Sequence, residues 1–140
     1  MPDSPDLNDE PYAPAEAGQI AFLTIEQVNE LHEEAIHRYS PGESLSVLNQ
    51  GLLESAVATP QQTWGGEMLY RSLEEMAATY LIGLNQNHAY ENGNKRVAFA
   101  ACSAFLRMNG FQLTLTQEEA VDLRSESLVE SSQGKKWLRF

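Results

Sequence analysis

The stretch with most chemistry in it is Asn92-Gly93-Asn94-Lys95-Arg96, with His88 five residues before the glycine. Gly93 admits backbone conformations closed to other residues. A helix starting near Gly93 or Asn94 leaves the N–H groups of its first turn unpaired, and the helix dipole adds partial positive charge there. Anions bind at such places. Lys95 and Arg96 bring two full positive charges to the same spot, and a guanidinium such as Arg96 can hold a phosphate through two parallel hydrogen bonds. The chain carries 20 acidic and 9 basic residues, a net charge of −11, so two adjacent cations at one helix start stand out. Together these features make the stretch a candidate phosphate site. His88 adds an imidazole that takes a proton near pH 7. Beside a bound phosphate it can deprotonate an attacking hydroxyl. Tyr90 is the expected apolar anchor that keeps His88 aimed. Asn92 can offer its carbonyl oxygen to magnesium, less well than a carboxylate would.

The same residues also fit a plainer role. A histidine at a helix end caps the last carbonyls, Asn-Gly is a common turn, and Lys-Arg is ordinary solvated surface. Composition alone does not separate the two readings.

The elements that must position the loop are legible as helices. Thr24-Ile-Glu-Gln27 has the form of a capping box. Ile25, Val28, Leu31, Ala35, Ile36 and Tyr39 follow at helical spacing, and Ser40-Pro41-Gly42 stops them. A loop runs to Gly51, Leu52–Val57 is a short helical piece closed near Pro60, and Thr63-Trp-Gly-Gly66 reads as a flexible connector. Ser72-Leu-Glu-Glu75 is a second capping box. It leads a stripe of Leu73, Met76, Ala77, Tyr80, Leu81 and Leu84 that runs out at Asn85-Gln-Asn87. A third helix starts near Gly93 or Asn94 and is apolar nearly all round, with Ala98, Phe99, Ala101, Ala104 and Phe105. Asn109-Gly110 ends it in left-handed fashion. Phe111–Leu115 alternates as a short extended piece would, and Thr116-Gln-Glu-Glu119 caps a last helix to about Glu130. The expected fold is all-α, four or five helices around a central buried helix that the polar loop precedes.

Composition bounds the rest. At 140 residues the chain fits one domain with a real core. Residues 1–19 hold five acidic residues, three prolines after position 4 and no basic residue. They read as a disordered acidic tail, with the domain at 20–140. The single cysteine, Cys102, rules out an internal disulfide and favours a reducing cytoplasm. Its apolar neighbours make it a buried small residue. No run approaches the roughly 18 apolar residues of a membrane span, and the N-terminus has no signal-peptide pattern. The acidic balance disfavours nucleic acid and anionic lipid and favours a basic protein partner; it also simply keeps the chain soluble. His32 and His37 are five apart, wrong for a helical metal pair, and their acidic neighbours look solvated, so both are assigned structural roles. Trp64 beside Gly65-Gly66 fits either a flap that guides a target segment or a surface anchor.

The string His88-x-Tyr90-x-Asn92-Gly93-Asn94-Lys95-Arg96 resembles the Fic/Doc family signature, His-x-Phe-x-(Asp/Asn)-(Ala/Gly)-Asn-(Lys/Gly)-Arg. Lys95, standing where Fic enzymes have a second glycine, makes the chain similar to the Doc, or death-on-curing, branch. The likeness continues in Gly51-Leu-Leu-Glu-Ser-Ala56, Pro60-Gln61, Gly65-Gly66 and Ala104–Phe111, and spans roughly Phe22 to Val129. Tyr90 takes the place of the usual phenylalanine, and Asn92 that of an aspartate found in many members. The resemblance implies the all-α Fic/Doc core and a bacterial, cytoplasmic toxin of a type II toxin–antitoxin pair, neutralised by a Phd-like antitoxin. It implies a kinase that uses ATP and Mg2+ to phosphorylate a protein hydroxyl, as on elongation factor Tu. His88 would be the general base, Asn92 would stand at the metal position, and Gly93 to Arg96 would cradle phosphate. A Fic-like transfer of AMP and an inert, partner-binding member of the fold are the alternatives.

Overall fold

A computed structural model describes residues 19–113 and the two-residue strand at 138–139. All but the last residue of the acidic tail predicted at 1–19, and the last helix predicted from Thr116 to Glu130, lie outside the described residues. Four α-helices carry the described fold: α1 (Ile25–Tyr39), α2 (Gln50–Ala58), α3 (Leu73–Gln86) and α4 (Asn94–Met108). The all-α expectation holds, since the strands are only short pairs.

The starts of the first three helices follow from side-chain caps. Thr24 and Gln27 form the complete capping box of α1, each side chain taking the other's backbone N–H. Asn49 caps α2 through the Leu52 N–H at 2.9 Å, so that helix begins two residues before the predicted Leu52. Ser72 caps α3 through the Glu75 N–H, but Glu75 reaches past it to the N–H of Arg71 at 2.8 Å, so only half of the second box forms.

Of the stripe read along α3, Met76, Ala77, Tyr80, Leu81 and Leu84 are buried and Leu73 is half-buried; Ala78 is buried beside them. The stripe packs on α4, whose Val97, Ala98, Ala101, Cys102, Ala104, Phe105 and Leu106 are buried in turn. The opposite flank of α4 meets α1, and α2 rests on α3. Tyr80 lies in this core, its hydroxyl oxygen accepting the Leu23 N–H at 2.9 Å.

Helix α4 ends in two reversed hydrogen bonds: Phe111 N–H to the Leu106 carbonyl at 2.8 Å, and Gly110 N–H to the Arg107 carbonyl at 3.1 Å. Gly110 is left-handed, with φ 91°. This is the Schellman arrangement. The neighbouring Asn109 is buried, and its side chain holds both polar groups of the Ala21 backbone, at 3.0 and 2.9 Å.

Thr63–Trp64 (β1) and Glu67–Met68 (β2) pair antiparallel across Gly65-Gly66. The predicted flexible connector is thus a β-hairpin. Two-residue turns with positive φ match the twist of paired strands, and the double glycine supplies that geometry. Gln112–Leu113 (β3), within the predicted extended piece, pairs with Leu138–Arg139 (β4). Among the described residues, no helix is long and apolar enough to cross a membrane.

Candidate active site

The loop from His88 to Gly93 joins α3 to α4 and is shaped by residues far away in sequence. Its outer brace is the segment before α2. The Leu48 and Asn49 N–H groups both donate to the Ala89 carbonyl, at 2.7 and 3.1 Å, and the Glu91 N–H donates to the Ser46 carbonyl at 3.0 Å. Val47 and Tyr90 form an isolated β-bridge between them.

Its inner brace is α1. Tyr90 is 2% exposed, and its ring stacks on that of His32 at 3.7 Å between centroids and 11° between planes. The Tyr90 hydroxyl donates to Asn29 Oδ1 at 2.5 Å. Burial pushes the Tyr90 hydroxyl pKa up to about 12, so it stays a proton donor. His32 Nε2 lies 2.7 Å from the Asn92 carbonyl oxygen. A carbonyl can only accept, so Nε2 carries the hydrogen. Burial pushes the His32 pKa below its usual value, outweighing the Asn92 carbonyl and Glu33, which pull the other way.

Asn94 closes the loop from within. Its Oδ1 accepts the Tyr90 N–H at 3.0 Å, and its Nδ2 donates to the Tyr90 carbonyl at 2.9 Å. The side chain placed in the phosphate cradle is therefore spent on the loop's own backbone. What Asn94 offers an anion is its main-chain N–H.

Gly93 is the N-cap of α4, with φ 80° and no side-chain cap. A side chain there is excluded twice over. The left-handed backbone disfavours it, and an added Cβ would lie 2.9 Å from Ile36 Cδ1 and 3.5 Å from His32 Nε2. Since α1, α2 and α3 each start on a capping side chain, α4 alone of the four opens its first turn bare. The N–H groups of that turn have no intrahelical acceptor.

The remaining predicted residues surround this opening. His88 is exposed and is the one non-glycine residue with positive φ, 51°, among the described residues. Its side chain makes no hydrogen bond among them, so it does not cap α3 and its imidazole is open to solvent. Lys95 is exposed. The Arg96 guanidinium lies 3.9 Å above the Tyr39 ring, a cation–π contact. Arg96 also lines a cavity of about 420 Å³ between α1 and α4, with Arg38, Phe99, Ser103 and Arg107. The two adjacent cations thus part company: one stands in solvent, the other faces α1.

Asn92 is half-buried. Its Nδ2 reaches the Ser44 carbonyl at a long 3.4 Å, and its Oδ1 has no hydrogen-bond partner among the described residues. No cluster of three or more His, Cys, Asp or Glu side chains that could hold a metal occurs among them. One open amide oxygen suits an ion that takes most of its ligands from phosphate and water, as Mg2+ does.

Sequence reasoning gave His32 a structural role without placing it at the loop, and did not single out Asn29, Ser44 or Ser46. His32 is 2% exposed, not a bystander on a charged helix face. The signal was present: Val28, His32, Ala35 and Ile36 share one helical stripe, and all four are buried. His37, by contrast, is exposed. The brace at Ser44–Asn49 has no periodic signal, because it acts through backbone groups.

A model of the Fic/DOC family matches residues 22–106. The chain is 45% identical over 87 residues to Toxin Doc of Mycolicibacterium smegmatis, covering 61% of this chain and 67% of the relative. It is 33% identical over 93 residues to Protein kinase doc of Escherichia phage P1, covering 65% and 70%.

Proposed function

Because this chain belongs to the Fic/DOC family, in its Doc branch, we propose that it is a Doc-like toxin that transfers the γ-phosphate of ATP to a hydroxyl of a protein target. One observation carries the reading: the uncapped first turn of α4, opening on left-handed Gly93, lies one braced loop away from an exposed imidazole. A phosphate held by the N–H groups of that turn and by Lys95 would sit on the rim that also carries His88. The name of the phage relative, Protein kinase doc, supports the same direction.

The step needs little covalent chemistry from the protein. The target's hydroxyl oxygen forms a bond to the γ-phosphorus as the bond from that phosphorus to the ADP oxygen breaks. His88 accepts the hydroxyl proton. Positioning and charge neutralisation supply most of the rate. Mg2+, held by Asn92 Oδ1 with the nucleotide's phosphates, would neutralise charge there when bound. Tyr90 and Asn94 keep the loop in shape, and Arg96, held over Tyr39, borders the cavity between α1 and α4.

The target we propose is elongation factor Tu, and the setting a type II toxin–antitoxin pair of the bacterial cytoplasm with a Phd-like antitoxin. The toxin name of the mycobacterial relative supports the setting. The exposed Trp64, on the β1–β2 hairpin, is a candidate contact for the target segment.

The test is transfer of label from ATP to elongation factor Tu, run in parallel with γ- and α-labelled nucleotide and with His88→Ala as control. Transfer of γ-label that the variant lacks is the expected result. Transfer of α-label would show AMP transfer instead. No transfer of either, from folded protein supplied with magnesium, would sink the kinase reading for this target.

A further inference from the structure

We propose that His32 is a positioning residue of the candidate site: by holding the Asn92 carbonyl, it sets the backbone from Asn92 to Arg96 that receives phosphate. The inference rests on the phosphate reading above and deepens it. His32 is itself buried and meets the loop at the Asn92 backbone oxygen. It acts through the loop.

Three contacts converge on it. The Nε2–H donates to the Asn92 carbonyl at 2.7 Å, across 60 residues of chain. This fixes the peptide that leads into Gly93. The imidazole face lies on the Tyr90 ring at 3.7 Å, nearly parallel, so the ring cannot swing away from that carbonyl. And Nε2 stands 3.5 Å from where a Cβ on Gly93 would be, beside Ile36 Cδ1 at 2.9 Å. Helix α1 therefore forms a wall against which the left-handed Gly93 is seated.

The wall has a directional consequence. In a trans peptide the N–H points opposite the carbonyl, so an Asn92 carbonyl held toward α1 sends the Gly93 N–H away from it. Gly93 is the N-cap of α4, so this fixes the peptide from which that helix starts. Asn94 fixes the same loop from the Tyr90 side. With the His32 hydrogen bond removed, the Asn92–Gly93 peptide loses the contact that sets its orientation at the start of α4. A buried imidazole N–H needs an acceptor wherever it lies; here the acceptor is the backbone oxygen that leads directly into Gly93, so satisfying the histidine also holds the loop.

Glutamine offers a clean comparison. Its Nε2 lies the same number of bonds from Cα as the histidine Nε2, so His32→Gln can donate to the same carbonyl without the ring. His32→Ala cannot.

The experiment measures amide hydrogen exchange at residues 92–96 and ATP kinetics in wild type, His32→Gln and His32→Ala, with exchange along α3 as the folding control. Expected in His32→Ala are faster exchange in the loop alone and a KM for ATP raised by about 10- to 100-fold, the usual loss when an outer partner of a site is removed, with kcat changed less. His32→Gln should recover most of both. Unchanged loop exchange in His32→Ala, or a His32→Gln that behaves no better than His32→Ala while α3 stays protected, would overturn the proposal. The exchange readout stands whether or not ATP is the ligand: a wild type that ignores ATP yet shows the exchange pattern would refute the kinase reading and uphold the positioning role.

Discussion

Asn94 holds both polar groups of the Tyr90 backbone, accepting its N–H at 3.0 Å and donating to its carbonyl at 2.9 Å. The first residue of α4 thereby fastens the loop that precedes it. Replacing Asn94 by aspartate keeps the acceptor and sets a negative charge against the Tyr90 carbonyl. The expected cost is about 1–3 kcal/mol of unfolding free energy, from a lost hydrogen bond and an unsatisfied partner. Urea denaturation of Asn94→Asp checks this. A stability equal to wild type would mean the side chain does not hold the loop.

Tyr90 joins two functions that one change separates. Tyr90→Phe removes the hydroxyl bond to Asn29 and keeps the stack on His32. The loss should be about 0.5–1.5 kcal/mol, with phosphate transfer near that of wild type. Tyr90→Leu loses the stack as well, and transfer should fall. Equal activities for the two variants would show that the ring face does not matter.

The depressed pKa of His32 makes stability depend on pH in a definite sense. A histidine ordinarily titrates at 6.5, and burial pushes the folded value of His32 below that. As pH falls through 6.5 the unfolded chain takes up the proton first, so protons favour unfolding and stability declines until the folded-state pKa is reached. Thermal unfolding of wild type and His32→Gln at a series of pH values isolates this contribution. The wild type should lose stability more steeply than the variant below pH 6.5. Parallel curves would contradict the assignment.

Cys102 is fully buried in the α3–α4 core, and desolvation pushes its thiol well above the ordinary range. The reactive species is the thiolate. The native protein should therefore resist a thiol reagent at pH 8 and react stoichiometrically once unfolded in guanidinium. Rapid modification of the native state would place Cys102 outside the core.

Much of this fold could be read from periodicity. The stripes of α1, α3 and α4 and the caps at Thr24 and Ser72 are local signals that local physics obeys. The start of α2 was displaced because Asn49 was read as loop rather than as a cap. The hairpin escaped notice because two-residue strands carry no alternation, and Gly65-Gly66 alone reads as slack. At the site, the loop residues announced themselves by type and spacing. The partners that shape them did not. Ser46 works through its carbonyl, which any residue has, and His32 sits among glutamates that suggest a solvated face.

The same geometry limits what the nine-residue string can do when moved. Beyond the bonds of Asn94 within it, its shape is supplied from outside, by Asn29 and His32 on α1 and by the backbone from Ser44 to Asn49. A peptide of His88 to Arg96, or the string grafted between two helices of an unrelated scaffold, would keep the side chains and lose the conformation. Transplanting the site requires carrying the first helix and the segment before the second along with it.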